Sequence, residues 1–125
     1  MTFMFLNGGA MRGGPLHHLL GGAPLVGEVR TAARYRFYSV GDRYPALEEV
    51  ASGGVEVAGE VYDVPLEVLR DSLLPAEPPE LELGIIELAD GRPSLGMVLR
   101  REFGAQTELK DISAIGGWRA YRGQG

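Results

Sequence analysis

The sequence predicts an α+β fold built on a small curled mixed sheet or β-barrel with two short helices. Six or so short segments with strand-like apolar patterns are separated by turns, and two segments carry a helix-start signal with a proline. The 19 glycines and 8 prolines are spread along the 125 residues, which indicates many short elements joined by tight turns. We expect a single domain over residues 1–125, long enough to bury roughly two-thirds of its unfolded surface.

The glycine-rich stretch after the first apolar segment organises the amino-terminal part of the chain. Phe3–Leu6 suits a buried strand, and four of the next eight residues are glycines, too many for a strand or helix to continue. Pro15 then fits the first turn of a short helix through Leu20, which Gly21 ends. The loop has two interpretations: a tight turn in which glycine only supplies positive φ, or a cradle whose N–H groups converge on a carboxylate or oxyanion.

The middle of the chain is predicted to alternate between strands and turns. Leu25–Arg30 and Arg34–Val40 are predicted strands, and a glycine-aspartate pair ends the second. Tyr44–Leu47 is expected to be an irregular segment tucked against a sheet, because a proline interrupts it. Val55–Tyr62 is the next predicted strand, since its apolar residues alternate.

The carboxy-terminal half is predicted to contain the second helix and a hairpin. Asp63 is a candidate cap for a helix over 66–74, in which Leu66, Leu69 and Leu73 share one face. A cluster of prolines then stops the helix. The remaining elements are a strand over Glu80–Leu88, a turn at Asp90–Gly91, a strand over Leu95–Arg100 and a polar loop over Arg101–Lys110.

The composition is typical of a soluble globular protein and disfavours several functions. A formal charge of -5 argues against nucleic acid, which needs a concentrated Lys/Arg face, and no apolar run approaches the roughly 18 residues of a membrane span. The absence of cysteine excludes thiolate catalysis and disulfides, and Lys110, the single lysine, disfavours a P-loop. Because the amino terminus also lacks the basic region of a signal peptide, we expect a cytoplasmic protein.

Carboxylates are the candidates for acid/base chemistry, because neither a nucleophilic triad nor metal-ligand spacing is present. Glu77 stands out, since flanking prolines stiffen its backbone and it leads into an apolar strand. At the rim of an apolar cavity its pKa would rise and it would serve as a base near neutrality; the alternative is a solvated loop glutamate. Glu60 and Glu82 are rivals that their alternating strands are expected to turn toward solvent.

The histidines and the carboxy-terminal aromatic residues have less specific interpretations. His17 and His18 point about 100° apart on a helix, so a solvated helix face is favoured over a shared metal, with one histidine lining a pocket as the alternative. Trp118, Arg119 and Tyr121 suit a carboxy-terminal anchor packed on the barrel better than a ligand platform. We expect no cofactor.

The order and spacing of these motifs resemble the γ-glutamylcyclotransferase-like superfamily, the group that includes the AIG2-like proteins. That superfamily opens with an apolar strand into Tyr-Gly-Ser/Thr-Leu and a later glycine, and the corresponding stretch here is Leu6–Gly13. Its Glu-Gly-x-x-Tyr-x-Arg motif falls on Glu77–Leu83 without a gap, and its preceding strand on Gly59–Tyr62. The resemblance implies the superfamily fold and Glu77 as the catalytic acid/base. The substrate-binding residues that it implies are Asn7, Gly8, Gly9, Ala10 and Met11.

Within the superfamily the sequence is more similar to the C-terminal domain of allophanate hydrolase. Gly8–Leu16 keep the Gly-x-x-x-x-Gly-x-Pro-Leu frame of that domain, and Gly84–Gly91 keep its Gly-x-x-x-Leu-x-Asp-Gly segment. Asp111–Tyr121 almost reproduce its ending, Asp-Ile-Thr-x-x-Gly-Gly-Trp-Arg-Ala-Tyr, which is the most specific match. The resemblance covers nearly the whole chain without an amidase domain, so we expect a stand-alone relative of allophanate hydrolase.

Four positions depart from the family motifs. The histidine that the hydrolase domain uses to decarboxylate N-carboxycarbamate falls on Ala10, and His17 lies elsewhere in the frame. The cyclotransferase tyrosine before the loop glycine is Asn7. Its tyrosine and arginine after the acid are Leu81 and Leu83. Decarboxylation in a urea pathway is therefore less expected than a cyclotransferase-like reaction.

Two classes of function follow from the resemblance and its departures. The first is an enzyme acting on a small γ-glutamyl or carbamoyl-type carboxylate. Glu77 would take a proton from the α-amine of the substrate, and this amine would attack the γ-carbonyl of the same molecule and release 5-oxoproline. The N–H groups of Gly8–Met11 would form the anion site. The alternative is a non-catalytic module that binds a small carboxylate through the same loop. A third option is a subunit whose Trp118-containing tail docks a partner. We expect neither nucleic acid nor a membrane as partner, and a homodimer is left open.

Overall fold

Eight strands form two sheets in the computed structural model, which describes residues 2–100 and 108–123. The strands are β1 Phe3–Leu6, β2 Leu25–Arg30, β3 Tyr35–Val40, β4 Tyr44–Glu49, β5 Ala58–Asp63, β6 Leu81–Glu87, β7 Pro93–Leu99 and β8 Leu109–Asp111. The larger sheet has the order β2-β5-β1-β7-β6, and β4-β3-β8 form the smaller one. Because β1 is antiparallel to β5 and parallel to β7, the larger sheet is mixed.

The helical segments are short and irregular. A 3₁₀ helix, His17–Leu20, follows the glycine-rich loop. The helix α1, Leu66–Val68, continues as a π-helical stretch over Leu69–Leu73 and a 3₁₀ turn over Leu74–Ala76. A last helix, α2, spans Trp118–Tyr121. The predicted α+β class with a curled mixed sheet and short helices is confirmed.

The β-barrel alternative is wrong, because the larger sheet does not close. A barrel requires continuous pairing between its first and last strands. Here the edge strands β2 and β6 meet at one end, through an isolated bridge between Thr31 and Leu88. Two hydrogen bonds of 2.9 Å flank this bridge, from the Ala32 N–H to the Glu87 carbonyl and from the Ala89 N–H to the Arg30 carbonyl. Over the rest of their length the two strands have no pairing within residues 2–100 and 108–123.

The largest differences from the predicted strands are at β4 and β5. Tyr44–Leu47 is not irregular but begins the edge strand β4, where Pro45 lies opposite Ser39. A proline is tolerated there because an edge strand leaves half of its N–H groups without a partner strand. The strand predicted to begin at Val55 starts three residues later, at Ala58. The loop predicted over 101–110 lies mostly outside the described residues, and its last two residues belong to β8.

The helix after β5 also differs from the prediction. Asp63 does not cap the helix, because it is the last residue of β5 and its carboxylate accepts the Thr2 N–H at 3.0 Å. Leu69 and Leu73 are buried, whereas Leu66 is 65% exposed. The π-helical stretch interrupts the 3.6-residue period on which a common face was predicted.

The core joins the central strands β1 and β5 to the irregular helix and to α2. Phe5 crosses Gly59 so closely that a Cβ on this glycine would lie 2.4 Å from the ring. This contact draws β1 and β5 together and places Glu60 beside the loop that follows β1. None of the helices in the described part of the chain is long and apolar enough to cross a bilayer.

Candidate active site

A cavity of about 610 Å³ lies where β1 runs into the glycine-rich loop. This volume falls within the range of about 300–1,000 Å³ that is usual for small-molecule sites. Its lining includes the loop, the start of β4 and the segment that carries Glu77. The apolar lining comes mainly from Phe5, Leu6, Pro45, Leu81, Met97 and Trp118. The structure thus brings Glu77 and all five predicted substrate-binding residues, 7–11, around one space.

Close backbone contacts explain the glycines of the loop. A Cβ on Gly14 would lie 2.1 Å from the carbonyl oxygen of Gly9, so no larger residue fits without moving the backbone. A Cβ on Gly8 would lie 2.9 Å from Cδ of Pro45. The loop is therefore folded tightly on itself and against the start of β4.

The loop directs its carbonyl groups into protein hydrogen bonds. Every carbonyl oxygen from Gly8 to Arg12 accepts a hydrogen bond of 2.5–3.1 Å. In chain order, the donors are the N–H of Met11, the N–H of Leu16, Nδ1 of His17, the N–H of Gly14 and Nη2 of Arg119. The contact to the Ala10 carbonyl requires that Nδ1 of His17 carries the hydrogen.

The same loop leaves N–H groups available. Within the described residues, the N–H groups of Gly8, Gly9 and Ala10 donate to no acceptor. A planar peptide whose oxygen is held on one side presents the following N–H on the other, and this applies to the N–H groups of Gly9 and Ala10. A run of free N–H groups beside a cavity is suited to an anion.

Glu77 lines the same cavity as this loop and comes directly after the 3₁₀ turn that ends the irregular helix. Its N–H donates to the Leu74 carbonyl at 3.1 Å, which fixes the backbone as it becomes extended. Burial raises the pKa of the Glu77 carboxyl to about 7. No described residue donates a hydrogen bond to this carboxylate, so at neutral pH it is available both to accept and to release a proton.

The segment around Glu77 is held at several points. The Tyr44 hydroxyl donates a short hydrogen bond to the Glu80 carboxylate. Burial and this neighbouring carboxylate raise the pKa of Tyr44 to about 12, so the phenol stays protonated. Nε of Arg100 donates to the Pro79 carbonyl at 2.9 Å. The prolines and these bonds together keep Glu77 at the cavity wall.

Arg43 lines the cavity but belongs to none of the sequence motifs, so the sequence did not predict it as a site residue. Its guanidinium lies 5.2 Å from the centre of the Tyr44 ring, and it forms no ion pair with any described carboxylate. Arg119 and Arg122 also line the cavity, but each donates to a backbone carbonyl, that of Arg12 and that of Asp42, respectively. Arg12, the fourth arginine of the lining, pairs with Glu28 and Glu60, so among the described residues of the cavity Arg43 is the arginine whose guanidinium forms neither an ion pair nor a hydrogen bond.

Of the rival acids, Glu60 contradicts the prediction of a solvent-facing side chain. It is 1% exposed and accepts hydrogen bonds from the Arg12 N–H at 2.8 Å and from the Tyr62 hydroxyl at 3.0 Å. Burial alone would raise the pKa of Glu60, but these donors and the neighbouring guanidiniums outweigh it and hold the pKa below its usual range. Glu82 is partly exposed, with Oε1 3.7 Å from Nη1 of Arg100.

The remaining predicted residues take structural positions. His18 is exposed, whereas His17 is partly buried with its ring centre 5.6 Å from that of Tyr62. Trp118 is 8% exposed, packs in the core and also lines the cavity. Leu81 lines the cavity, while Leu83 is 40% exposed on β6. In the described residues, no group of three or more His, Asp or Glu side chains is placed to hold a metal ion.

The first comparison concerns the fold: this chain has the fold of an AIG2-like protein. An AIG2-like protein from Mus musculus shares the fold with a TM-score of 0.59 at 23% identity, over 79% of this chain and 76% of that one. An uncharacterised protein from Pyrococcus horikoshii shares it with a TM-score of 0.73 at 21% identity, over 98% of this chain and 93% of that one.

A more specific relation comes from the family of the allophanate hydrolase C-terminal domain. The model of the allophanate hydrolase C-terminal domain matches residues 2–123, so the chain belongs to this family. The uropathogenic E. coli-specific protein c4763 is 36% identical with a TM-score of 0.90, over 99% of this chain and 97% of that one. Kluyveromyces lactis allophanate hydrolase is 26% identical with a TM-score of 0.88, and the 98% of this chain that aligns spans 21% of that enzyme. Among curated proteins, none matches the chain significantly.

Proposed function

We propose that this protein is an enzyme that acts on a small γ-glutamyl or carbamoyl-type carboxylate substrate, with Glu77 as the general acid/base. The observation that carries the proposal is that the Glu77 carboxylate and the free N–H groups of Gly8, Gly9 and Ala10 line the same cavity. The pKa of about 7 matches a group that must both take up and return a proton near neutrality. The loop N–H groups and Arg43 supply positive potential for a substrate carboxylate.

For a γ-glutamyl amine the arrangement supports a balanced sequence of steps. Glu77 takes a proton from the substrate α-ammonium group, and the resulting amine nitrogen attacks the γ-carbonyl carbon of the same molecule. As the bond from that carbon to the leaving nitrogen breaks, Glu77 gives its proton to the leaving nitrogen. The ring nitrogen, which still carries two hydrogens and a positive charge, then passes one proton through the Glu77 carboxylate to the released amine, so the products are 5-oxoproline and an ammonium. Because the attack is intramolecular, most of the rate enhancement comes from holding the substrate folded in the cavity. Each well-placed loop donor contributes on the order of 3 kcal/mol when it stabilises developing negative charge.

The second candidate is a binding module without catalysis, and the residue at position 10 favours it. Ala10 offers only a methyl group at the position where, by resemblance, the hydrolase domain has a histidine. The free N–H groups bind a carboxylate equally well in this case. Such a module holds its ligand through the loop and Arg43, and Glu77 transfers no proton.

A screen that measures stability and turnover together separates the two functions. The purified protein is incubated with a γ-glutamyl amine, allophanate, 5-oxoproline or malonate, and both the melting temperature and product release are recorded. We expect a γ-glutamyl amine to give 5-oxoproline and malonate to raise the melting temperature. Occupancy at a hundred times the dissociation constant stabilises a protein by about 2.7 kcal/mol. Stabilisation by these compounds without turnover of the γ-glutamyl amine or of allophanate would favour the binding module. If the protein shows neither stabilisation nor turnover, both functions are contradicted.

A further inference from the structure

Glu60 is unusual because, in the part of the chain that the structure describes, it is the only charged side chain that is buried. Four hydrogen bonds satisfy its carboxylate. Oε1 accepts from the Arg12 N–H at 2.8 Å and from the Tyr62 hydroxyl at 3.0 Å. Oε2 accepts from Nε of Arg12 at 3.2 Å and from Nη2 of Arg119 at 3.3 Å. A buried carboxylate with this many donors is costly to replace, since the donors would lose their acceptor.

The bonds of Glu60 and Arg119 converge on the backbone of one loop residue. Glu60 accepts the Arg12 N–H, and Nη2 of Arg119 donates to the Arg12 carbonyl at 2.5 Å. Two consecutive peptide groups at the end of the glycine-rich loop are thus fixed by side chains of β5 and α2. Since a peptide is planar, fixing the Arg12 N–H also directs the Met11 carbonyl to the opposite side, where the Gly14 N–H donates to it at 2.9 Å.

We propose that Glu60 and Arg119 are positioning residues for the anion site: by holding both backbone groups of Arg12, they keep the N–H groups of Gly8, Gly9 and Ala10 free and directed at the bound carboxylate. The inference rests on the anion site of the proposed function and adds the two residues that set its geometry. Glu60 and Arg119 affect the anion site through the position of the loop and not through net charge. Glu28 pairs with Arg12 at 2.8 Å, so the two guanidiniums are balanced by two carboxylates.

The test uses Glu60→Gln and Arg119→Met, with Arg36→Met as the matched control. Glutamine keeps one acceptor oxygen but faces the guanidiniums with an NH₂ group, and methionine keeps the apolar stem of the arginine without its donors. Arg36 resembles Arg119 in bonding, because it pairs with Asp111 at 2.8 Å and donates to the Gly53 carbonyl at 2.8 Å. It lies outside the cavity. If Glu60→Gln does not fold, Arg119→Met alone provides the test.

Three readouts separate positioning from loss of structure. These are malonate affinity by calorimetry, the amide NMR shifts of residues 8–12 without ligand, and the Glu77 pKa by carboxyl NMR. We expect both variants to bind malonate at least tenfold more weakly with shifted loop amides, while the Glu77 pKa stays near its parent value. Arg36→Met should bind malonate as the parent does.

Unchanged malonate affinity and loop shifts in both variants would overturn the inference. A Glu77 pKa that falls in parallel with affinity would also overturn it, since general loosening of the cavity would then explain both effects. If the parent protein itself does not bind malonate, the anion site of the proposed function is wrong. The loop shifts measured without ligand then still decide whether Glu60 and Arg119 set the conformation of the loop.

Discussion

Glu77→Gln should reduce the release of 5-oxoproline from a γ-glutamyl amine by about a hundred- to ten-thousandfold, the usual contribution of a general acid/base. Glutamine has nearly the same shape but neither accepts the amine proton nor returns it to the leaving group. The measurement is kcat for product release at pH 7. Glu82→Gln is the matched control, because Glu82 is a partly exposed surface acid whose nearest cation, Arg100, is 3.7 Å away. Turnover that survives in Glu77→Gln would remove Glu77 from the mechanism.

The same variant should be more stable than the parent protein at neutral pH. Burial raises the Glu77 pKa from 4.5 to about 7, so the unfolded chain loses this proton first as the pH rises. The parent therefore loses stability relative to Glu77→Gln between about pH 4.5 and 7, by at most about 3 kcal/mol. Urea unfolding at about pH 4, 6 and 8, which bracket this window, measures the difference in the free energy of unfolding between the two proteins. A difference that is independent of pH would show that the carboxyl is not buried as described.

Gly14→Ala should remove malonate binding and destabilise the protein by about 1–3 kcal/mol, the usual cost of overpacking. The new methyl group would lie 2.1 Å from the Gly9 carbonyl oxygen, a backbone atom that cannot move away alone. The displaced Gly9 carbonyl would lose the Leu16 N–H, and the Gly9–Ala10 peptide would no longer hold its N–H toward the ligand. Calorimetry with malonate and urea unfolding measure the two effects.

Gly27→Ala is the control for this loop substitution. A Cβ on Gly27 meets no atom within 4 Å, so this variant should bind malonate with the parent affinity. Parent affinity in Gly14→Ala as well would mean that the loop conformation does not determine ligand binding. It would then also remove the basis for an anion site at Gly8, Gly9 and Ala10.

Local patterns predicted most of the fold, and the failures have physical causes. The strands β1 and β2 were predicted with their observed limits, because glycine pairs lie shortly after β1 and shortly before β2. The strand β4 was missed since Pro45 argues against a strand unless the strand is known to lie at an edge. The closed barrel was not distinguishable from a curled sheet, because closure depends on whether β2 and β6 pair along their length.

The site was predictable only where residues follow one another in the chain. The glycine loop and Glu77 came from short motifs and from the resemblance to the family. Glu60 was misplaced because alternation assumes one solvent-facing side, whereas β5 is buried on both sides at this point. The hydrogen bond to the Arg12 carbonyl comes from Arg119, which is 107 residues from Arg12 in sequence, and no local pattern encodes such a contact.

The pKa of Glu77 with and without malonate, measured by carboxyl NMR, tests most directly whether one ligand contacts both the loop and the acid. A malonate dianion held by the loop N–H groups would lie in the same cavity as the carboxylate and disfavour its ionised form. We predict a pKa of about 7 in the free protein and a higher value when malonate is bound. A pKa near the ordinary 4.5, or one that bound malonate leaves unchanged, would contradict a shared site for Glu77 and the glycine loop.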